Sequence, residues 1–161
     1  MEMTFLDSAV PLLKGLLFSA LLLTAAVRDL KTREIPEWIP ALLLCTGFIG
    51  IRPLDSCLGS VLTGLPYFVA AALTRRKDGI CGGDWKLMAA CGFVLGVWGG
   101  LLQSVLSLTL TVLAGCATAF ARRKPLKEIL LPLAPFFCAG GIFSYAVLLF
   151  STAFFINRRE F

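Results

Sequence analysis

The chain has 161 residues, 58% of them hydrophobic, with a mean hydropathy of +0.86. Soluble domains sit near about 45–50% apolar, and charged residues, only 16% of the chain and bunched in short clusters, are too few to coat one; apolar stretches near the length of a membrane span recur between those clusters instead. The net charge of +5 would raise nucleic acid as a partner in a soluble protein, but the basic residues fall at the ends of apolar runs and no stretch interleaves them with aromatic residues, so no nucleic-acid partner is expected.

Six apolar segments follow in chain order. The first, roughly 8–27, is preceded by Glu2 and Asp7 rather than by a basic head, and so reads as a first membrane helix and not as a cleavable signal. The second, roughly 37–51, is short. The third covers about 55–74. The fourth, about 85–98, is again short, and the fifth is about 101–121. The last, about 129–156, is long enough to span with tilt or to bend at Pro132 and Pro135. The glycines of GFVLGVWGG (92–100) offer a packing face, because small residues let helices approach closely in lipid. No internal repeat is visible. The expected fold is all-α, a single polytopic membrane domain over residues 1–161 with about six transmembrane helices.

The chain has six cysteines (Cys45, Cys57, Cys81, Cys91, Cys116 and Cys138), no C-x-x-C and no histidine. No metal site and no cofactor are therefore expected. Most of these cysteines lie inside apolar segments, where Cys behaves as a small hydrophobe.

Lysine and arginine are distributed unevenly. Eleven of the 15 lie in three connections: Arg28, Lys31 and Arg33; Arg75, Arg76, Lys77 and Lys86; and Arg122, Arg123, Lys124 and Lys127. Lys14, Arg52, Arg158 and Arg159 fall on the other side. Positive residues favour the cytoplasmic side, so the three rich connections are expected inside and both termini outside.

That topology brings two carboxylates to one membrane face. Asp29 lies just past the first segment, and Asp84 opens the fourth, directly after Gly82 and Gly83. A carboxylate at the edge of the hydrocarbon is expensive, and is usually functional or paired. An interfacial ion pair for Asp29 and a helix N-cap for Asp84 are the plain alternatives. The helix ends differ: Asp84 stands where the dipole favours an anion and Asp29 where it does not. Asp84 is thus expected to carry the charge and Asp29 the proton that two close carboxylates must share. One carboxylate taking a proton from water while the other donates to a carbonyl is the device of aspartic proteases. Gly82 and Gly83, without side chains, would let an extended substrate backbone come near. Lys86 is either an interfacial snorkelling lysine or a group that tunes Asp84.

These residues resemble a known family. RDLKTREIPEW (28–38), followed some fifty residues later by CGGDWKLMAA (81–90), is similar to the type IV prepilin peptidases, membrane aspartic proteases with a G-x-G-D motif. Asp29, Ile35 and Pro36 match the first motif, with Glu37 where the family has asparagine. Gly83, Asp84, Lys86 and Leu87 match the second, with Cys81 in place of its first glycine. PLAPFFCAGG (132–141) resembles the family's proline-bracketed segment, with Ala134 where glycine is usual. The resemblance implies Asp29 and Asp84 as the catalytic pair, with Ile35, Pro36, Cys81, Gly82, Gly83, Lys86, Pro132 and Pro135 shaping the site or binding substrate. It implies removal of a short basic leader from pilin-like precursors that carry an apolar N-terminal helix, at the cytoplasmic face of a bacterial or archaeal membrane, with membrane lipid as the other partner. The larger, bifunctional members carry C-x-x-C pairs in an extra domain; this sequence has none, so a protease-only form without methyltransferase activity is expected. A carboxylate-based ion transporter and a non-catalytic pilus assembly factor are the alternative readings.

Overall fold

In lipid every backbone N–H and C=O must find its partner within the segment, which leaves a chain this apolar and rich in long runs with helices. The computed structural model describes residues 2–50, 52–73, 83–123 and 131–157, with side chains at 9–50, 52–72, 83–123 and 131–151. The described residues form α1 (Glu2–Thr32), α2 (Trp38–Gly47), α3 (Pro53–Leu73), α4 (Gly83–Arg122) and α5 (Ala134–Asn157), with no strand among them. The protein is an all-α polytopic membrane protein. Four of the helices, α1, α3, α4 and α5, are long and apolar enough to cross a membrane, and α2 is a shorter apolar helix.

The fourth and fifth expected segments are one element, α4, and a single residue divides it. Gly96 has φ 72° and ψ −172°, a conformation open to glycine and strained for residues with a Cβ. A Cβ built on Gly100 would lie 3.2 Å from the Cα of Gly92, whereas in an unbroken helix positions eight apart are separated by about 12 Å. The helix therefore folds back on itself at Gly96. Its neighbour α3 records the reversal. Thr63 donates to Met88 O at 3.1 Å and Phe68 meets Trp85 edge-on, so the first half of α4 (83–95) runs against α3. Thr63 also meets Gly100, and the Tyr67 hydroxyl pairs with Ser104 Oγ at 3.3 Å, so the second half (97–122) runs along it. The described residues thus form six helical runs, four helices being long and apolar enough to cross a membrane, and the expected connection at 99–100 is replaced by the turn at Gly96.

The reversal is held from α3. The N–H of Val97, left free by the break, donates to Asp55 Oδ1 at 3.1 Å. The small-residue face expected at 92–100 is what packs here: a Cβ on Gly59 would lie 2.5 Å from Gly92 O and 2.6 Å from the carbonyl carbon of Gly96. In lipid such packing is driven by dispersion and hydrogen bonding, since leaving a lipid tail for a leucine gains little.

Helix α5 lies antiparallel to the second half of α4 and to α1. Ser144 Oγ donates to Gly99 O at 2.6 Å, Gln103 Nε2 to Phe137 O at 3.1 Å, and the Tyr145 hydroxyl to Pro11 O. Phe18, Leu22, Ile39, Leu43, Leu87 and Phe137 are fully buried between these helices. Helix α5 begins at Ala134 rather than near 129. Pro132 precedes it and Pro135 occupies its first turn, where a missing N–H is tolerated, so these prolines set its start and do not bend it. The start of α1, the end of α5, the turn before α3 and the reversal at Gly96 share one side of the bundle. The α1–α2 turn and the starts of α4 and α5 share the other.

Candidate active site

Helix α1 ends abruptly just after Asp29. Arg33 takes a left-handed φ of 55°, and its N–H donates to Asp29 O at 2.9 Å, closing the last turn in the manner of a left-handed C-cap. Ile35 then precedes Pro36, a position barred from helical conformation. The Pro36 carbonyl accepts the Ile39 N–H at 3.1 Å and so begins α2.

That short turn is pressed onto the start of α4. Ile35 is buried, and a Cβ on Gly83 would lie 3.0 Å from Ile35 Cβ, tighter than ordinary packing allows. Gly83 therefore permits the close approach that brings the two acidic positions together. Asp29 is 7% exposed and Asp84 8%, and they lie close enough for the charge of one to act on the other. Asp29 Oδ2 accepts the N–H of Ala134 at 2.9 Å, in a buried contact. Asp29 thus faces the N-terminus of α5 as well as ending α1, and the dipole difference that was expected to separate it from Asp84 is removed. Pro132 and Pro135, both half-buried, flank this donor.

Lys86 forms an ion pair with Glu37, which bridges the start of α4 to the start of α2. The hydrogen bond and charge of Lys86 hold the Glu37 carboxyl below its usual value, so Glu37 is an anion at neutral pH. The structure thus gathers Asp29, Ile35, Pro36, Gly83, Asp84, Lys86 and the 132–135 segment at one end of the bundle. Cys81 and Gly82 lie outside the described residues.

Two members of this site escape a reading of the sequence. One is the Ala134 N–H, a backbone donor; the bracketing prolines mark the segment without showing what it does. The other is Tyr67, whose hydroxyl meets Ser104, whose ring stands edge-on to Phe137 at 5.4 Å, and which lies within electrostatic reach of Asp84. Its signal in the sequence was a lone phenol towards the end of the third segment. Among the described residues no group of three or more His, Cys, Asp or Glu comes together.

The description of the type IV leader peptidase family matches residues 16–157, a stretch that contains both aspartates. The chain belongs to the type IV leader peptidase family. It is 34% identical over 145 residues to the prepilin leader peptidase/N-methyltransferase of Bacillus subtilis (strain 168), an alignment that covers 85% of this chain and 56% of that protein. The chain thus spans a little over half the length of the relative it matches. No solved structure matches it. In this type IV leader peptidase family member, Asp29, Asp84 and the proline segment lie at the same end of the bundle.

Proposed function

We propose that the chain is a membrane aspartic endopeptidase that removes the leader from type IV pilin-like precursors at the cytoplasmic face of the membrane. The observation that carries this reading is the pair of buried carboxylates, Asp29 and Asp84, brought from distant parts of the chain into electrostatic reach of each other.

Two such groups share one proton, because both cannot ionise in a poorly solvated site. The ionised carboxylate takes a proton from water, whose oxygen attacks the scissile carbonyl carbon. The protonated carboxylate donates to the carbonyl oxygen. The tetrahedral intermediate then collapses, the C–N bond breaks, and the departing amine takes a proton. The Ala134 N–H fixes one oxygen of Asp29 while this occurs. The dyad shares its end of the bundle with Arg28, Lys31, Arg33, Lys86, Arg122 and Arg123, and the preference of positive residues for the cytoplasmic side supports that placement. A precursor whose apolar helix lies in the bilayer and whose basic leader lies in the cytosol presents its junction at that depth.

Co-expression with a pilin-like precursor, with leader removal read by mass spectrometry, tests the reading. Asp29→Asn and Asp84→Asn should each lower the cleavage rate by about 10²–10⁴-fold, the range for lost acid–base catalysis, while the protein still inserts. Cleavage at the wild-type rate by either variant overturns the two-carboxylate mechanism. Uncut precursor that co-purifies with the wild-type protein favours an assembly factor instead.

A further inference from the structure

We infer that Glu37 reads the charge of the leader, by exchanging its resting partner Lys86 for a cationic residue of the substrate. This deepens the proposed function and rests on it. Three observations carry the inference. The first is place: Glu37 ends the turn that presses Ile35 onto Gly83, and Lys86 lies in the first turn of α4, which Asp84 opens, so the pair stands at the same end of the bundle as the dyad. The second is exposure. The Glu37 side chain is 83% exposed and that of Lys86 40%, whereas Asp29 and Asp84 are buried. An exposed ion pair contributes little net energy and is screened by salt, so replacing one cation by another is close to isoenergetic, and the flexible four-carbon stem of Lys86 lets its ammonium swing into water. The third is charge. Arg28, Lys31 and Arg33 close the end of α1 beside the same turn and repel an incoming cation. Glu37 is an acid already engaged with a cation, and it offers one site where a leader Lys or Arg is met by an opposite charge.

The test uses the purified full chain in phosphatidylcholine–phosphatidylglycerol vesicles and two precursors that differ only in a basic or an acidic leader. The readout is the ratio of kcat/KM for basic over acidic leader, in which the overall activity of each variant cancels. The wild type should favour the basic leader. The exchange Glu37→Lys with Lys86→Glu restores an ion pair with its charges reversed, and should lower the ratio by about tenfold or invert it. If the pair is a structural clasp alone, this double variant keeps the wild-type ratio, and the inference fails. Should the double variant cut neither precursor, Glu37→Gln supplies the ratio: a fall of about fivefold is expected, and an unchanged ratio overturns the inference. Glu34→Gln, in the same turn, should leave the ratio as it is; a fall there equal to that of Glu37→Gln would show diffuse charge rather than recognition at Glu37, and overturns it too. A wild type that cuts both precursors at a ratio independent of Glu37 sinks this inference alone. A wild type that cuts neither sinks the proposed peptidase as well.

Discussion

Asp29 owes its setting to a donor that has no letter in the sequence. The carboxylate was legible, because an acid beside an apolar run is conspicuous, and so was its pairing with Asp84. The Ala134 N–H was not, because a backbone amide becomes a partner only once α5 is docked against α1. The same distinction between written and folded polarity separates two buried serines. Ser144 Oγ donates to Gly99 O at 2.6 Å, while Ser107 Oγ is buried with no partner among the described residues. Both hydroxyls look alike in the sequence. Ser144→Ala should lower stability by about 0.6 kcal/mol, the mean for an interhelical hydrogen bond in a membrane protein. Ser107→Ala removes an orphaned polar atom and should leave stability unchanged or raise it, by up to about 1 kcal/mol. Unfolding of both variants in one detergent by denaturant titration checks this, and the opposite order would show that Ser107 has a partner in the folded protein.

At the scale of elements, the six apolar segments were legible from their length and spacing, but the junction between the fourth and fifth was not. A run of glycines reads as a packing face whether the helix continues or reverses, and the left-handed φ that makes the turn belongs to Gly96 alone among Gly92, Gly96, Gly99 and Gly100. What decides the matter is long-range: Asp55, on another helix, takes the Val97 N–H that the break exposes. The packing beneath the reversal is backbone against backbone, which cannot move aside. A Cβ on Gly59 would meet Gly92 O at 2.5 Å, so Gly59→Ala should destabilise by about 1–3 kcal/mol, the usual range for overpacking. Gly50 is the contrast. Its φ is +64° but nothing among the described residues lies within 4 Å of a Cβ there, so Gly50→Ala bears only the conformational penalty, about 1–2 kcal/mol, and should leave α3 and α4 packed. Cross-linking a cysteine pair placed on α3 and α4 separates the two: Gly59→Ala should reduce its yield and Gly50→Ala should not. Equal yields would mean that the α3–α4 contact is looser than this packing.

For the whole molecule, the side on which the basic connections gather was legible from the sequence, and the described turns carry it. Helix length across the bundle was less so, because an apolar run shows where a helix is greasy and not where it stops. Helix α2 has 10 residues, about 15 Å, and the first half of α4 is about 20 Å long, against a hydrocarbon core of about 30 Å. Both begin at the site: α2 follows the Ile35–Pro36 turn, and α4 opens at Gly83. Helix α2 is not shielded from lipid throughout, since Trp38, Leu42 and Phe48 are exposed along and just past it, whereas the first half of α4 is buried or half-buried along its length. The longer helices α1, α3 and α5 fit a thin bilayer by tilting, whereas a short helix cannot lengthen to fit a thick one, so the mismatch penalty falls on one side. The protein should therefore be most stable in thin bilayers. Reconstituted into dimyristoleoyl, dioleoyl and dierucoyl phosphatidylcholine, it should lose thermal stability in that order, with the largest drop in the thickest. A midpoint that rises with chain length would mean that α2, like the first half of α4, is covered by protein, and that the long second half of α4 sets the match to the membrane instead.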